Sequence, residues 1–414
     1  MTASEKGPSV ERERYTVIVG LGGKMDFQFT PAQIELRDRV RKFAQNELRP
    51  MAAKWDEEET FPLPMVRRAA ELGLVALTIP KAYGGAGLGA IEAILTIEEL
   101  AKACASTAEV VFDALIGPMQ VIAHFGTEGQ RRAMLPRAAK GELLIGIGIT
   151  EPHAGSGATD MLSRARIEGD SVILNGTKSY VEDVSCMSAF LIYVKFDDQP
   201  GAKSIGGVLV EKGTPGFSVG PARKKMGTRG CVQADLHFKD CRVPRSNVIV
   251  GPGQFSKLMA AFNLERCGNA AMAVGIASGA LDEAMAYAKT RKQFGRDLCE
   301  FQGLQWAFAR MAMKVDAARL LMYRAVANAA TGLPSALEAS MAKAYANEMA
   351  IEVTNGALQI FGAVGYLREC PLERMVRDAR AWGIAGGTVE IQLNQIAAQL
   401  FGRKFSQRQS IIAA

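Results

Sequence analysis

One run of this chain constrains its fold more than any other. From Leu258 to about Lys292 it reads LMAAFNLERCGNAAMAVGIASGALDEAMAYAKTRK, a single long helical pattern. Inside it sits Glu265, on a face that should be buried. Residues three, four and seven away share a helix face with their reference residue, and for Glu265 these are Ala261, Phe262, Gly268, Asn269 and Met272. The charged residues Asp282, Glu283, Lys289, Arg291 and Lys292 crowd the far end instead. A carboxylate on such a stripe is costly unless it has a partner or a task. The pattern alone leaves both readings open: an ion pair with a base from another element, or a working group.

A chain of 414 residues is long enough for two or three domains with full cores. The net charge of +6 comes from scattered basic residues, and aromatics make up only 7%, so no strip for nucleic acid emerges. No stretch is expected to approach the length of a transmembrane helix. Seven widely spread cysteines, without a CxxC, suit a reduced cytoplasmic protein with neither disulfide framework nor zinc site. With only His124, His153 and His237 available, a histidine metal site is not expected, and a general base should be a carboxylate.

The periodicity divides the chain. Residues 1–24 pattern as a mobile N-terminal extension, and Met25 is an alternative start. Thr30-Pro31 gives an N-cap and an N1 proline before an amphipathic helix. Helical runs continue through 25–145, and the glycine-rich IPKAYGGAGLGA among them does not follow GxGxxG. Residues 146–250 carry short β-like runs broken by glycine, proline and asparagine, which predicts six to eight antiparallel strands. From 251 to 414 the pattern is helical again, with four runs rich in alanine and methionine that suit an antiparallel bundle. The expected fold is α+β: an N-terminal helical domain, a middle antiparallel β domain and a C-terminal four-helix bundle.

Several motifs fall in register on this plan. Ile149-Thr150-Glu151-Pro152-His153-Ala154-Gly155-Ser156 is a turn whose backbone N–H groups can face an anion, with hydroxyls at Thr150 and Ser156. Lys178-Ser179-Tyr180-Val181-Glu182-Asp183 follows in the β region. Lys225-Met226-Gly227-Thr228-Arg229 and Cys241-Arg242-Val243-Pro244 read equally well as a surface hairpin. Arg291-Lys292-Gln293-Phe294-Gly295 reads as a basic helix C-terminus. Gln359-Ile360-Phe361-Gly362-Ala363-Val364-Gly365-Tyr366 reads as a helix C-cap. Together these motifs resemble the acyl-CoA dehydrogenase family over about residues 25–403.

The resemblance implies FAD as cofactor. It places Ile147, Thr150, Gly155, Ser156, Tyr180 and Glu182 at the flavin, and Arg291, Phe294, Gln359, Gly362 and Gly365 at its diphosphate end across a subunit interface, with Thr388 and Glu390 also on the cofactor. Two departures stand out: Gly157 where an aspartate is usual, and Glu182 where a threonine hydroxyl ordinarily meets flavin N5. An ionised glutamate cannot donate there. The family's usual base lies on a loop that here reads Ile384-Ala385-Gly386-Gly387-Thr388, with Gly386 in its place. A minority branch, including the isovaleryl-CoA and long-chain dehydrogenases and a crotonobetainyl-CoA reductase, carries the base on the long helix before an arginine, as in Leu264-Glu265-Arg266. Glu265 would then remove the α proton of an acyl-CoA and a hydride would pass to flavin N5. The Gly386 N–H would hold the thioester oxygen, with Ser156, Phe262, Arg266 and Gly387 at the substrate. The resemblance also implies an electron-transferring flavoprotein as acceptor and a homotetramer. A reductase, a desulfinase or a silent FAD-bound assembly protein are the alternatives.

Overall fold

The computed structural model describes residues 28–197, 199, 201–329 and 332–406; the extension expected at 1–24, and Met25, lie outside these. The N-terminal part runs α1 (Pro31–Phe43), α2 (Arg49–Glu58), α3 (Leu63–Glu71), α4 (Ala90–Ala101), α5 (Ala105–Ile116), α6 (Pro118–Phe125) and α7 (Glu128–Ala139). Thr30 caps α1 as expected, its hydroxyl accepting from Gln33 N–H at 3.3 Å. The first helix is not continuous. A wide π turn, Ala44–Leu48, joins α1 to α2 just ahead of Pro50, whose ring would otherwise collide with a carbonyl one turn back.

The middle part holds β1 (Ile145–Gly148), β2 (Arg164–Glu168), β3 (Ser171–Val181), β4 (Ala189–Lys195), β5 (Ile205–Glu211), β6 (Phe217–Val219), β7 (Ala234–Pro244) and β8 (Val248–Val250). They form one sheet ordered β6-β7-β3-β2-β4-β5-β8. It is mixed rather than purely antiparallel, because β1 pairs with β4 in parallel. β4 is buried on both faces: Phe190, Ile192 and Val194 join the main core, while Ala189, Leu191 and Tyr193 join a second one. That explains its unbroken apolar run.

The C-terminal part holds α8 (Phe255–Ala288), a short hairpin β9 (Lys292–Gln293) and β10 (Arg296–Asp297), α9 (Gln302–Ala327), α10 (Ala336–Phe361), α11 (Pro371–Trp382) and α12 (Val389–Leu400). α11 adds a helix to the expected four. The helix α8 is buried nearly all round from Ala261 to Leu281, not on one stripe. A Cβ at Gly268 would sit 2.0 Å from Ile116 and 2.4 Å from the Phe112 ring, so glycine is what lets α5 lie directly on α8.

Two sequence expectations change here. The run Ala105–Phe125 is long and apolar enough to cross a membrane, contrary to expectation. It is split at Gly117 into α5 and α6 and mostly buried inside the protein. Residues 225–229 are not a surface hairpin but the junction of the three parts. The Asp56 carboxylate of α2 accepts a two-pronged hydrogen bond from Arg229 (3.1 and 2.7 Å) and another from Arg377 of α11 (3.1 and 2.6 Å). The Thr228 N–H donates to Asp378 at 2.6 Å. Burial alone would raise the Asp56 carboxyl, but the hydrogen bonds from Arg377 and Arg229 outweigh it and hold it at about 2.

Removing one partner of such a cluster strands the others. Asp56→Asn should therefore destabilise the protein by ~3 kcal/mol in denaturant unfolding at neutral pH. A carboxyl held below its unfolded value stabilises above that value and loses the effect as pH falls through the folded one. The gap between wild type and variant should thus close as acid approaches pH about 2.

Candidate active site

The residues expected at the site fall into three groups. The first surrounds the start of the sheet. Glu151 and Lys178 form a buried ion pair at 2.7 Å. Glu151 also accepts from the Leu162 and Ser163 N–H groups at 2.6 and 2.9 Å, and Lys178 donates to the Ile149 carbonyl at 3.1 Å. Burial draws Lys178 down to about 8 against the pull of Glu151. This pair, with Ser179 N–H donating to Thr150 O at 2.8 Å, fastens the segment carrying Thr150 beside Tyr180.

The consequences suit an anionic, flat ligand. Past the Glu151–Ala154 bridge, the N–H groups of Gly155, Ser156 and Gly157 donate to no backbone carbonyl among the described residues. Successive free N–H groups of this kind make an anion seat, and Gly155 and Ser156 are exposed. Tyr180 is 55% exposed on a left-handed backbone (φ 57°). It is a large aromatic surface open to a planar partner, with Arg223 stacked at 4.9 Å from its ring centroid. Ile147, by contrast, packs into the second core. Glu182 is engaged at both oxygens, by Lys225 at 2.6 Å and Gln233 at 2.6 Å. Its charge is neutralised within the protein.

The second group lies on α8 and the loop before α12. Glu265 is buried, and its carboxylate has no hydrogen bond or ion pair among the described residues. Burial lifts it to about 8, against the weaker pull of Arg266 and Lys343. Arg266, next to it, is turned to Asn263 (2.8 Å) and lies 5.4 Å from the centroid of the Phe262 ring. One turn on, Asn269 donates to the Glu265 carbonyl at 2.9 Å. A Cβ on Gly386 would meet Asn269 Oδ1 at 2.7 Å, and Gly386 has φ 65°. The loop is thus pressed against the helix turn that carries Glu265, in a conformation suited to glycine. The Gly386 and Gly387 N–H groups donate to no backbone carbonyl among the described residues. Thr388 caps α12 and accepts from Ile391 N–H at 3.3 Å, and Glu390 is exposed in its first turn.

The sequence reading missed Lys343. It is fully buried in α10, donates to the Trp382 carbonyl at 3.0 Å, and is drawn by burial to about 7. Asn347 donates to the same carbonyl at 2.5 Å. Together they fix the end of α11, from which the Gly386 loop departs. The stripe argument used for Glu265 would have found Lys343, flanked at helical spacing by Ala339, Ser340, Ala346 and Asn347.

The third group is elsewhere. Arg291 joins the end of α8, its N–H donating to the Tyr287 carbonyl at 2.9 Å, to the β9–β10 hairpin, whose turn carries Phe294, 92% exposed. Gln359, Gly362 and Gly365 end α10, where Gly362 (φ 60°) closes the helix as expected. Tyr287 stacks on Phe361 at 4.1 Å and joins the two helix ends. At 1.5 Å per residue this corner is roughly 35 Å along α8 from Glu265. One protomer does not bring it to Glu265.

Comparisons with known proteins agree in their coverage. The acyl-CoA dehydrogenase N-terminal domain model matches residues 30–142, the middle domain 146–241 and the C-terminal domain 255–401. A short-chain specific acyl-CoA dehydrogenase of Clostridium acetobutylicum is 39% identical over 91% of this chain and all of its own length. A 3-sulfinopropanoyl-CoA desulfinase of Paraburkholderia xenovorans is 40% identical over 93% of this chain and all of its own. A chain in the structure described as the electron transferring flavoprotein of Acidaminococcus fermentans superposes with TM-score 0.88 at 36% identity, over 91% of this chain and 99% of that one.

The geometry of Glu265 carries a signed stability prediction. Its folded value, about 8, lies above the ordinary 4.5. The buried protonated carboxyl therefore stabilises fully below 4.5, and that contribution is lost as pH rises through about 8. Glu265→Gln, which never ionises, should melt higher than wild type, with a gap that widens from pH 5 and levels off above pH 8; calorimetry across this range checks it.

Proposed function

This chain belongs to the acyl-CoA dehydrogenase family, an FAD-binding family of oxidoreductases, and we propose that it dehydrogenates an acyl-CoA thioester between its α and β carbons, with Glu265 as the base. The observation that carries this reading is the state of Glu265. It is a buried carboxylate lifted to about 8, without an ion-pair partner among the described residues. An unpaired buried carboxylate is a strong proton acceptor, and near this value it can both take and return a proton at physiological pH.

The neighbouring residues divide the remaining work. The free N–H groups of Gly386 and Gly387 would donate to the thioester oxygen, where negative charge develops as the α proton leaves. Asn269 and the Lys343–Trp382 bond hold the helix turn and the loop in mutual register. The Gly155–Gly157 turn, Thr150 and the open ring of Tyr180 would hold FAD. When bound, FAD supplies the two-electron acceptor for the hydride leaving the β carbon. With Glu182 neutralised by Lys225, the backbone rather than that side chain would serve the flavin edge.

A desulfinating reaction, the activity named for the Paraburkholderia xenovorans protein and for others among the relatives, needs no base at an α carbon, so an unpaired buried glutamate favours dehydrogenation. A reductase would use the same groups in reverse. The separation of the Arg291–Gln359 corner from Glu265 supports a further part of the proposal. That corner would serve the cofactor of another copy in a homotetramer, and Phe294 on the hairpin offers an apolar contact for it. Transfer of the electrons to an electron-transferring flavoprotein, in the cytoplasm, completes the reading.

Glu265→Gln keeps the shape but cannot accept a proton. The variant should retain FAD and bind acyl-CoA, while anaerobic flavin bleaching slows by at least ~10²-fold. Near-normal bleaching would assign the base to another residue.

A further inference from the structure

A second set of carboxyls stands near Glu265 and has no role in the chemistry above. Glu109 and Asp113 lie one turn apart on α5 and are both buried. Asp183, just past β3, is fully buried. A carboxylate oxygen of Glu109, one of Asp183 and the Cys231 sulfur all lie within 4.8 Å of one another. None of the three carboxyls forms an ion pair among the described residues. Glu109 Oε2 and both Asp183 oxygens also have no hydrogen-bond partner there. The nearby Cys231 thiol donates to the Ser106 carbonyl at 3.2 Å, and its closeness to Glu109 and Asp183 offsets a small part of what burial does to them. Lys225, the basic neighbour, is spent on Glu182.

This wall runs toward the reaction centre. α5 rests directly on the Glu265 turn through Phe112 and Gly268. The charges that bear on Asp113 are, in falling order, Asp183, Glu265, Glu109 and Glu182. Burial first, and mutual repulsion second, push Glu109 and Asp113 well up and Asp183 to about 7. Burial and the neighbouring carboxylates thus disfavour the ionised forms of these groups when no counter-charge is present. Orphaned lone pairs in a buried site call for donors, and carboxyls raised by burial and by mutual repulsion ionise readily against a cation. A group that offers both is an N–H-bearing cation.

We propose that the acyl group handled here ends in an ammonium or guanidinium group, bound by Glu109, Asp113 and Asp183 on the wall beyond Glu265. This rests on the reading of Glu265 as the α-carbon base.

The test compares a guanidinoalkyl group with its neutral isostere, a ureidoalkyl group of the same length, each joined to coenzyme A. As non-reactive thioethers they report binding to the FAD-loaded enzyme whatever Glu265 does; as thioesters they report flavin bleaching. The guanidino thioether should bind at least ~10-fold more tightly than the ureido one. Calorimetry in two buffers should show protons released with the guanidino compound and not with the ureido compound, as the carboxyls ionise. Glu109→Gln and Asp113→Asn, read separately so that misfolding of one leaves the other, should each reduce the preference and the proton release. Equal binding of the two thioethers overturns the inference. So does a stoichiometric divalent metal that survives dialysis and is lost in Asp183→Asn. If the guanidino thioether is preferred but neither thioester bleaches the flavin, the charge recognition stands and the dehydrogenase reading falls.

Discussion

The structure depends on the burial of α8 round nearly its whole circumference. A helix with no wet face cannot place a charged side chain in water, so Glu265 must be satisfied, neutralised or used. Here it is neither paired nor hydrogen-bonded among the described residues, and burial raises it to about 8. The same close packing draws α5 on to the helix at Gly268 and presses the Gly386 loop against Asn269. A carboxylate, two free N–H groups and an acidic wall are brought together because this helix permits close neighbours.

Two buried ionic clusters hold the frame around it. Asp56, forked by Arg229 and Arg377, ties the first helical part to the sheet and to α11. Glu151 and Lys178 fasten the turn carrying Thr150 to β3. In both, the geometry is tight and the remaining lone pairs are used, the condition under which a buried pair does not destabilise the fold. Neither touches the α carbon. Their part is to fix the distance between the Gly155–Gly157 turn on the sheet and Glu265 on the bundle.

Much of this was legible in the residues. The switch from helical to strand periodicity located the three parts, and the Thr30-Pro31 cap marked the first helix. The stripe round Glu265 singled out the buried carboxylate proposed as the base, although the helix proved buried nearly all round. What was not legible depends on partners far apart in the chain. Nothing near Asp56 announces that Arg229 and Arg377 will meet on it, so residues 225–229 read as a surface hairpin. The parallel pairing of β1 with β4 is long-range in the same way. Pro50 betrayed the π turn only once the helix around it was known. Lys343 followed the same rule as Glu265 and was overlooked. Arg291 sat where a helix end was expected, whereas Phe294 and Gly295 both take positive φ and fold the segment into a hairpin. The acidic wall joins α5 to the end of β3, and neither segment alone distinguishes it from a solvated face.

The central claim is that Glu265 removes a proton from the α carbon. Its most direct test is proton exchange without net oxidation: an acyl-CoA analogue with sulfur in place of the β carbon, incubated with the enzyme in deuterated water and followed by NMR. The account predicts that wild-type protein exchanges the α protons, faster as pH rises through about 8, and that Glu265→Gln does not. Exchange at the wild-type rate in the variant would contradict it.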